Sequence, residues 1–400
     1  MELIKVAVVF FVILAVLNRR LPLYAGMLAG TAVTLALFAI PPAAFAAAAA
    51  KALTGWDTWD VVLAMYVISV LQVSLDHRRH LENAQRAMAG LFHDQRLNAA
   101  LASVFIGTMP AAPAVTICGR IIDNMAGDHL TPAEKAACAS FFRHIPEGFL
   151  PTFSIILIVT SLSGVPMASF VAVMLPMAAV LVAIGFAVYL RRIPRSVPER
   201  AAGKAESLRL LLRSLWTIAA IIAVILIFGL PASLATALVT AVNFRTDRFS
   251  PSEVRRTLVR GFDWKITVGM ISIFVFKEVL VATGVIDRLP DYFARLPIPT
   301  FLTLALLFFF GTLVGSSTAA GTAFTPLAFA ALPGGASLLV LLVGFSWGAS
   351  QLSPTHLCMA VACQDFGVPM TAFIRKTILP VLIFLVVITG YYLLLTALGL

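Results

Sequence analysis

Charge is scarce in this chain. Only 12% of its 400 residues are Asp, Glu, Lys or Arg, about half the share found in soluble domains. Hydrophobic residues make up 60%, and apolar runs recur at roughly the 20 residues needed to cross a bilayer. A soluble globular domain is excluded, and a polytopic all-α membrane protein is expected. Cysteine is scarce too: Cys118, Cys138, Cys358 and Cys363, with no C-x-x-C pair. That spacing excludes a disulfide scaffold and reads as small apolar thiols. No G-x-x-x-x-G-K-[ST] loop occurs, which argues against a primary pump within the chain. No G-x-S-x-G elbow occurs either. The first segment, MELIKVAVVFFVILAVLNRR, ends in Arg19-Arg20 rather than a small-residue cleavage site, so it reads as a retained span.

Acidic residues are fewer than basic ones, 19 against 29, for a net charge of +10. The basic residues cluster in short loops between apolar runs. That is the pattern of loops facing a cytoplasmic leaflet, and it gives no support for nucleic-acid binding.

What the chain does contain is one phrase written twice, GVPMASF at 164–170 and GVPMTAF at 367–373. The repeat extends upstream. LPTFSIILIVTSLSGVPMASF (150–170) lies over SPTHLCMAVACQDFGVPMTAF (353–373) without a gap, at an offset of 203. Gly107-Thr108 matches Gly311-Thr312 at 204, and 59–75 matches 264–280 at 205. Leu175-Pro176 and Leu379-Pro380 sit alike in long apolar runs. Residues 1–190 and 208–400 therefore read as two repeats joined by a polar linker, 191–207.

Charge sets their orientation. If 97–118 and 300–330 are re-entrant hairpins, each half makes five crossings. These fall near 3–18, 23–40, 59–76, 137–160 and 169–190, then 208–228, 231–244, 265–284, 337–363 and 374–398. An odd number inverts the second half. One face then holds 21 of the 29 Lys and Arg, and the other holds Lys5, Lys51, Arg288 and Arg295. The first face is expected to be cytoplasmic, in a prokaryotic inner membrane, with both termini outside. In each half the first two crossings (1–58 and 208–263) are expected to form a scaffold, and the remainder (59–190 and 264–400) the transport elements.

Backbone breaks are expected at matched places. The hairpin tips carry Gly107, Pro110 and Pro113 in one half, and Gly315 and Gly321 in the other. Broken helices are expected at FFRHIPEGFLPT (141–152), through Pro146, Gly148 and Pro151, and at GASQLSPTHL (348–357), through Pro354. Non-helical backbone at membrane depth must be buried in protein or line a wet cavity. Paired discontinuities in inverted halves point to a secondary-transporter binding site.

FFRHIPE, the Gly-Thr hairpins and SPTHLC resemble a domain-of-unknown-function family of prokaryotic integral membrane proteins. That family is grouped in the ion-transporter superfamily with gluconate, citrate and dicarboxylate permeases. The resemblance covers most of the chain. It implies inverted repeats, hairpin tips that meet unwound helices, a homodimer and elevator-type movement. The dicarboxylate branch carries Ser-Asn-Thr triplets at its tips. Here the tips read Ser316-Ser317-Thr318 and Thr108-Met109-Pro110, a departure that tells against sodium coupling and a dicarboxylate substrate.

Ionisable groups within the apolar frame are candidates for function. Arg143 and Glu147 share a helix face at i,i+4, and His144 and Glu147 at i,i+3. Arg143 can hold a carboxylate or phosphate, or pair with Glu147 to staple the break. His144, Glu147 and Glu278 are candidates for carrying the coupling ion. Lys277 adjoins Glu278 but points elsewhere on an ideal helix. The expected solute contacts are Thr108, Arg143, His144, Thr152, Ser316, Ser317, Thr318, Thr322, Ser353, Thr355 and His356. The hydroxyls suit Na⁺ beside free carbonyls, an anion beside free N–H groups, or close helix packing. His356 alone reads equally as a satisfied hydrogen-bonding residue. His144 and Glu147 lack enough neighbouring ligands in sequence for a metal site, and no cofactor is expected. The reading is a secondary active transporter of a small organic anion, driven by H⁺ or Na⁺. The alternatives are a channel-like facilitator and a hydrolase pairing Ser316 or Ser317 with His356.

Overall fold

The computed structural model describes residues 2–19, 21–80, 83–84, 87, 94–108, 114–194, 204–285, 288, 297–354 and 356–399. Among them there are eighteen α-helices and no strand. Nine precede the linker: α1 (Glu2–Asn18), α2 (Leu23–Leu37), α3 (Pro42–Thr54), α4 (Trp56–His77), α5 (Gln95–Gly107), α6 (Ala114–Ala126), α7 (Pro132–His144), α8 (Ser154–Ser163) and α9 (Met167–Val188). Nine follow it: α10 (Lys204–Phe228), α11 (Ala232–Thr246), α12 (Pro251–Gly261), α13 (Trp264–Ala282), α14 (Thr300–Val314), α15 (Ser317–Ala331), α16 (Gly335–Ser350), α17 (Leu357–Asp365) and α18 (Met370–Ala397). Within α4, α9, α10 and α18 lie four stretches long and apolar enough to cross a membrane.

Packing is reciprocal between the halves. Helix α2 lies on α13 and α11 on α4; α3 lies on α13 and α12 on α4. Helix α8 lies on α15 and α17 on α6; α9 lies on α16 and α18 on α7. Exchanging the halves turns each of these contacts into its partner. The doubled GVPM is the same corner twice. Gly164 and Gly367 take the left-handed region at φ 71° and 62°, which a Cβ disfavours. Pro166 and Pro369 then cap α9 and α18, which start at Met167 and Met370. Pro176 and Pro380 sit inside those two helices.

Both expected broken helices are interrupted. The first is α7, a single tight turn at Pro146–Gly148, and α8; the second is α16 and α17. The first hairpin is larger than 97–118, because its arms run from Gln95 to Ala126. Two helices occur where the sequence reading predicts loops. Helix α3 is mostly alanine, eight of its 13 residues, a strong helix former that leaves no apolar periodicity to read. Helix α12 lies inside the charged 245–265 stretch. It starts with a capping box in which Ser250 and Glu253 each bond the other's backbone N–H, at 3.3 and 2.7 Å, a signal present in Ser-Pro-Ser-Glu. Gly321 is not a break. It lies within continuous α15, where a Cβ would fall on Ile155 of α8, so its role is close helix approach.

The enclosed centre is the pair of first arms, α7 and α16. Every residue of Ala136–His144 and of Ser337–Ser350 is buried. An aromatic chain ties them to the long helices: Phe141–Trp347 at 5.3 Å, Trp347–Phe384 at 5.2 Å and Phe141–Tyr189 at 6.1 Å between ring centroids. Such edge-to-face pairs add about 0.5–1.5 kcal/mol each beyond burial.

Glu134, at the start of α7 and outside the expected crossing, fastens this arm. Its carboxylate accepts from Thr131 N–H at 2.9 Å, and from Lys376 Nζ and Arg192 Nη2, both at 3.1 Å. It thus joins α7 to α18 of the other half. Burial opposes ionisation, but the Thr131 backbone, Lys376, the Thr131 hydroxyl and Arg192 together hold the carboxyl down at about 2. A depressed carboxyl contributes stability above its unfolded value of 4.5 and loses it as pH falls through about 2. Glu134→Gln should therefore lower the thermal midpoint at pH 7, with a gap from the parent protein that narrows as pH drops below about 4.5. A gap that stays constant with pH would contradict this account.

Candidate functional site

Helix α7 cannot continue past Ile145, because Pro146 offers no N–H and its ring clashes with the preceding turn. Its last carbonyls are left without helical partners. One of them is taken by the other half: Trp347 Nε1 donates to the His144 carbonyl at 2.7 Å. At the offset of 203, Trp347 is the repeat counterpart of His144. The first hairpin rests on the same turn. A Cβ on Gly107 would fall on the Arg143 carbonyl oxygen, so only glycine lets α5 approach this closely. The second hairpin engages α16 and its break in the same manner. Thr312 and Ser346 hydroxyls meet at 2.8 Å, and Ser353 Oγ donates to the Leu313 carbonyl at 2.9 Å.

The two breaks meet. His144 Nε2 and His356 Nε2 lie 3.2 Å apart, with ring centroids at 5.0 Å. His144 is fully buried and donates from Nδ1 to the Ser140 carbonyl at 2.6 Å. Arg143 Nη1 donates to Glu147 Oε2 at 3.4 Å, and the same oxygen lies 3.8 Å from His144 Nε2. Arg143 is buried, and its Nε has no partner among the described residues. One buried cation with donors to spare therefore sits beside two imidazoles and a carboxylate. Cys358 completes the group: its Sγ and a ring nitrogen each of His144 and His356 all lie within 4.8 Å of one another. These are metal-ligating side-chain types, drawn from both halves. The thiol gave no signal in sequence, since Cys358 lies 214 residues beyond His144 and forms no spaced motif.

The remaining expected residues divide. Thr108 turns its hydroxyl onto its own helix, at 2.6 Å from the Phe105 carbonyl. Ser316 caps α15 through Ala319 N–H at 3.1 Å. Thr152 and Thr322 are buried, and their hydroxyls have no partner among the described residues. Ser317 lines a small cavity with Glu147, Gly148, Ser346, Trp347 and Ser350. Its volume of about 10 Å³ leaves room for about one water. Thr318 is partly exposed. Thr355, Pro110 and Pro113 lie outside the described residues. Glu278 is engaged elsewhere: it pairs with Lys51 of α3 at 2.8 Å and approaches Lys277 Nζ at 4.0 Å. The structure does not bring it to the His144 cluster, because it sits on α13 facing the short helix that the sequence reading missed. Neither Ser316 nor Ser317 bonds His356 among the described residues, so the nucleophile–base pair of a hydrolase is not assembled.

Trp347→Phe keeps the ring contacts and removes the donor to His144. Leaving that buried carbonyl unpaired should destabilise the protein by about 1–3 kcal/mol, read as a lower unfolding midpoint in detergent. An unchanged midpoint would mean that the bond does not fasten the break.

No curated protein matches the sequence. Among solved structures, the fold is similar to that described in "Crystal structure of the Alcanivorax borkumensis YdaH transporter reveals an unusual topology", with 13% identity, 88% of each chain covered and a TM-score of 0.60. At that identity the likeness is one of fold. A family described as "Protein of unknown function (DUF401)" matches residues 3–395, and the chain belongs to it.

Proposed function

We propose that this protein is a secondary active transporter that moves a small organic anion across a prokaryotic cytoplasmic membrane by alternating access. The observation that carries the reading is the meeting of two interrupted helices, one from each half, at His144 and His356. Interrupted helices packed together at membrane depth present fixed dipole ends and polar backbone to a solute. The reciprocal packing supports two inverted-topology repeats, 1–190 and 208–400. The fold likeness to the YdaH transporter agrees with this reading.

Arg143 is the proposed anion contact, because its Nε is buried and unspent and a guanidinium holds a carboxylate through two parallel bonds. His144 and Glu147 are the proposed coupling groups, which favours H⁺ over Na⁺ as the driving ion. Motion of the hairpins and broken helices against the scaffold is proposed to be elevator-like within a homodimer.

Uptake and counterflow in proteoliposomes, over a panel of carboxylates, sugar acids, phosphonates and amino acids, test the proposal. Saturable counterflow is expected, stimulated by an inward proton gradient. Arg143→Lys keeps the charge but loses the fork, and should weaken solute binding at least about tenfold. Flux without counterflow would replace the transporter with a channel. An unchanged binding isotherm in Arg143→Lys and Arg143→Ala would remove Arg143 from the site.

A further inference from the structure

We infer that the crossing of the broken helices is a binding site for a borderline-soft divalent cation of the Zn²⁺ class. Its ligands are His144 Nε2, His356 Nε2 and the Cys358 thiolate, with water or a reoriented Glu147 as the fourth. The inference concerns binding alone and stands apart from the choice of solute.

The geometry points this way at several independent places. Two imidazole nitrogens, each about 2.0–2.1 Å from a tetrahedral ion, stand about 3.3 Å apart. The two Nε2 atoms here are 3.2 Å apart. Which nitrogen of His144 carries the proton follows from its other contact: Nδ1 lies 2.6 Å from the Ser140 carbonyl, which can only accept. Nδ1 is therefore the donor, and Nε2 turns a lone pair toward His356. That is the outer-shell arrangement that metal-ligating histidines use to fix tautomer and ring orientation. The thiol lies within 4.8 Å of both rings, a short rotamer adjustment from bonding distance. Glu147 Oε2, 3.8 Å from His144 Nε2, can turn from Arg143 toward the ion.

Charge also fits. The thiolate and the Glu147 carboxylate offset the ion's two charges, and Arg143 is paired with Glu147 at 3.4 Å. A hydrogen bond between the two rings would account for the imidazole pair. It would not account for a thiol within 4.8 Å of both ring nitrogens. The set has two nitrogens, one sulfur and one oxygen. It suits Zn²⁺ and Co²⁺ and disfavours the hard, all-oxygen ions Mg²⁺ and Ca²⁺. Access comes from the second break, where His356 and Cys358 are partly exposed while His144 is sealed. None of the ligands belongs to the repeated frame. The counterparts of His144, Glu147, His356 and Cys358 are Trp347, Ser350, Phe153 and Ile155. The duplicated fold builds one such site rather than two.

The test uses the full chain in detergent, without an affinity tag, stripped with a chelator and titrated with Co²⁺ and then Zn²⁺. One Co²⁺ per chain is expected, with a thiolate-to-cobalt charge-transfer band that Zn²⁺ abolishes. Cys358→Ser should lose that band. His356→Ala should weaken binding by at least the roughly 10–100-fold that even outer-shell changes cost. Because His356 is partly exposed, this variant is expected to fold, and its unfolding midpoint without metal checks that. Zn²⁺ should raise the midpoint of the parent protein and not that of His356→Ala. Should His356→Ala fail to fold, Cys358→Ser decides through the band and the affinity. Failure to bind Co²⁺, or the same band and affinity in Cys358→Ser, overturns the inference. Neither result bears on counterflow, so the transport reading and the metal site fail separately.

Discussion

A helix interrupted inside a membrane leaves N–H and C=O groups that lipid cannot satisfy, so protein or trapped water must do so. This constraint shapes the centre of the molecule. The last turn of α7 is covered by the hairpin end at Gly107 and by the Trp347 indole. The second break is held by Ser353 on the Leu313 carbonyl. Each hairpin end serves the break of its own half, and Trp347 ties the two breaks to each other. The buried arms α7 and α16 and their aromatic chain provide the rigid wall against which this is done.

The proposed function rests on how little of the polar chemistry obeys the repeat. The frame is doubled, but Arg143, His144 and Glu147 belong to one half, and His356 and Cys358 to the other. At the 203 offset their counterparts are Ser346, Trp347, Ser350, Phe153 and Ile155. Two interrupted helices, one from each half, meet at His144 and His356. One half brings a cation, an imidazole and a carboxylate to that point, and the other an imidazole and a thiol. A single asymmetric polar centre is what one solute or ion needs.

Much of the frame was legible in the sequence because glycine and proline punctuate the backbone locally. The GVPM corners, the Pro146 and Pro354 breaks and the hairpin arms all rest on such residues. Helices α3 and α12 were missed for opposite reasons: one is too rich in alanine to show a face, and in the other the density of charge outweighed a capping box. Gly321 allows two readings in sequence, a break or close packing, and it serves packing. The centre itself was only half legible. Arg143, His144 and Glu147 share a local spacing, but no local pattern brings His356 or Cys358 across 212 or 214 residues. The same limit hid the Lys51–Glu278 pair, which removes Glu278 from the centre.

The central claim is that two breaks from separate halves meet at one point and that this point must move for the protein to work. The most direct measurement is oxidative cross-linking of a Ser74→Cys/Asn243→Cys pair, whose side chains meet at 3.2 Å and join α4 of the proposed transport elements to α11 of the proposed scaffold, in a background without Cys118, Cys138, Cys358 and Cys363, with counterflow read before and after reduction. The account predicts rapid disulfide formation, arrested counterflow and recovery with reductant. Absence of the cross-link, or counterflow that continues through it, would contradict the account.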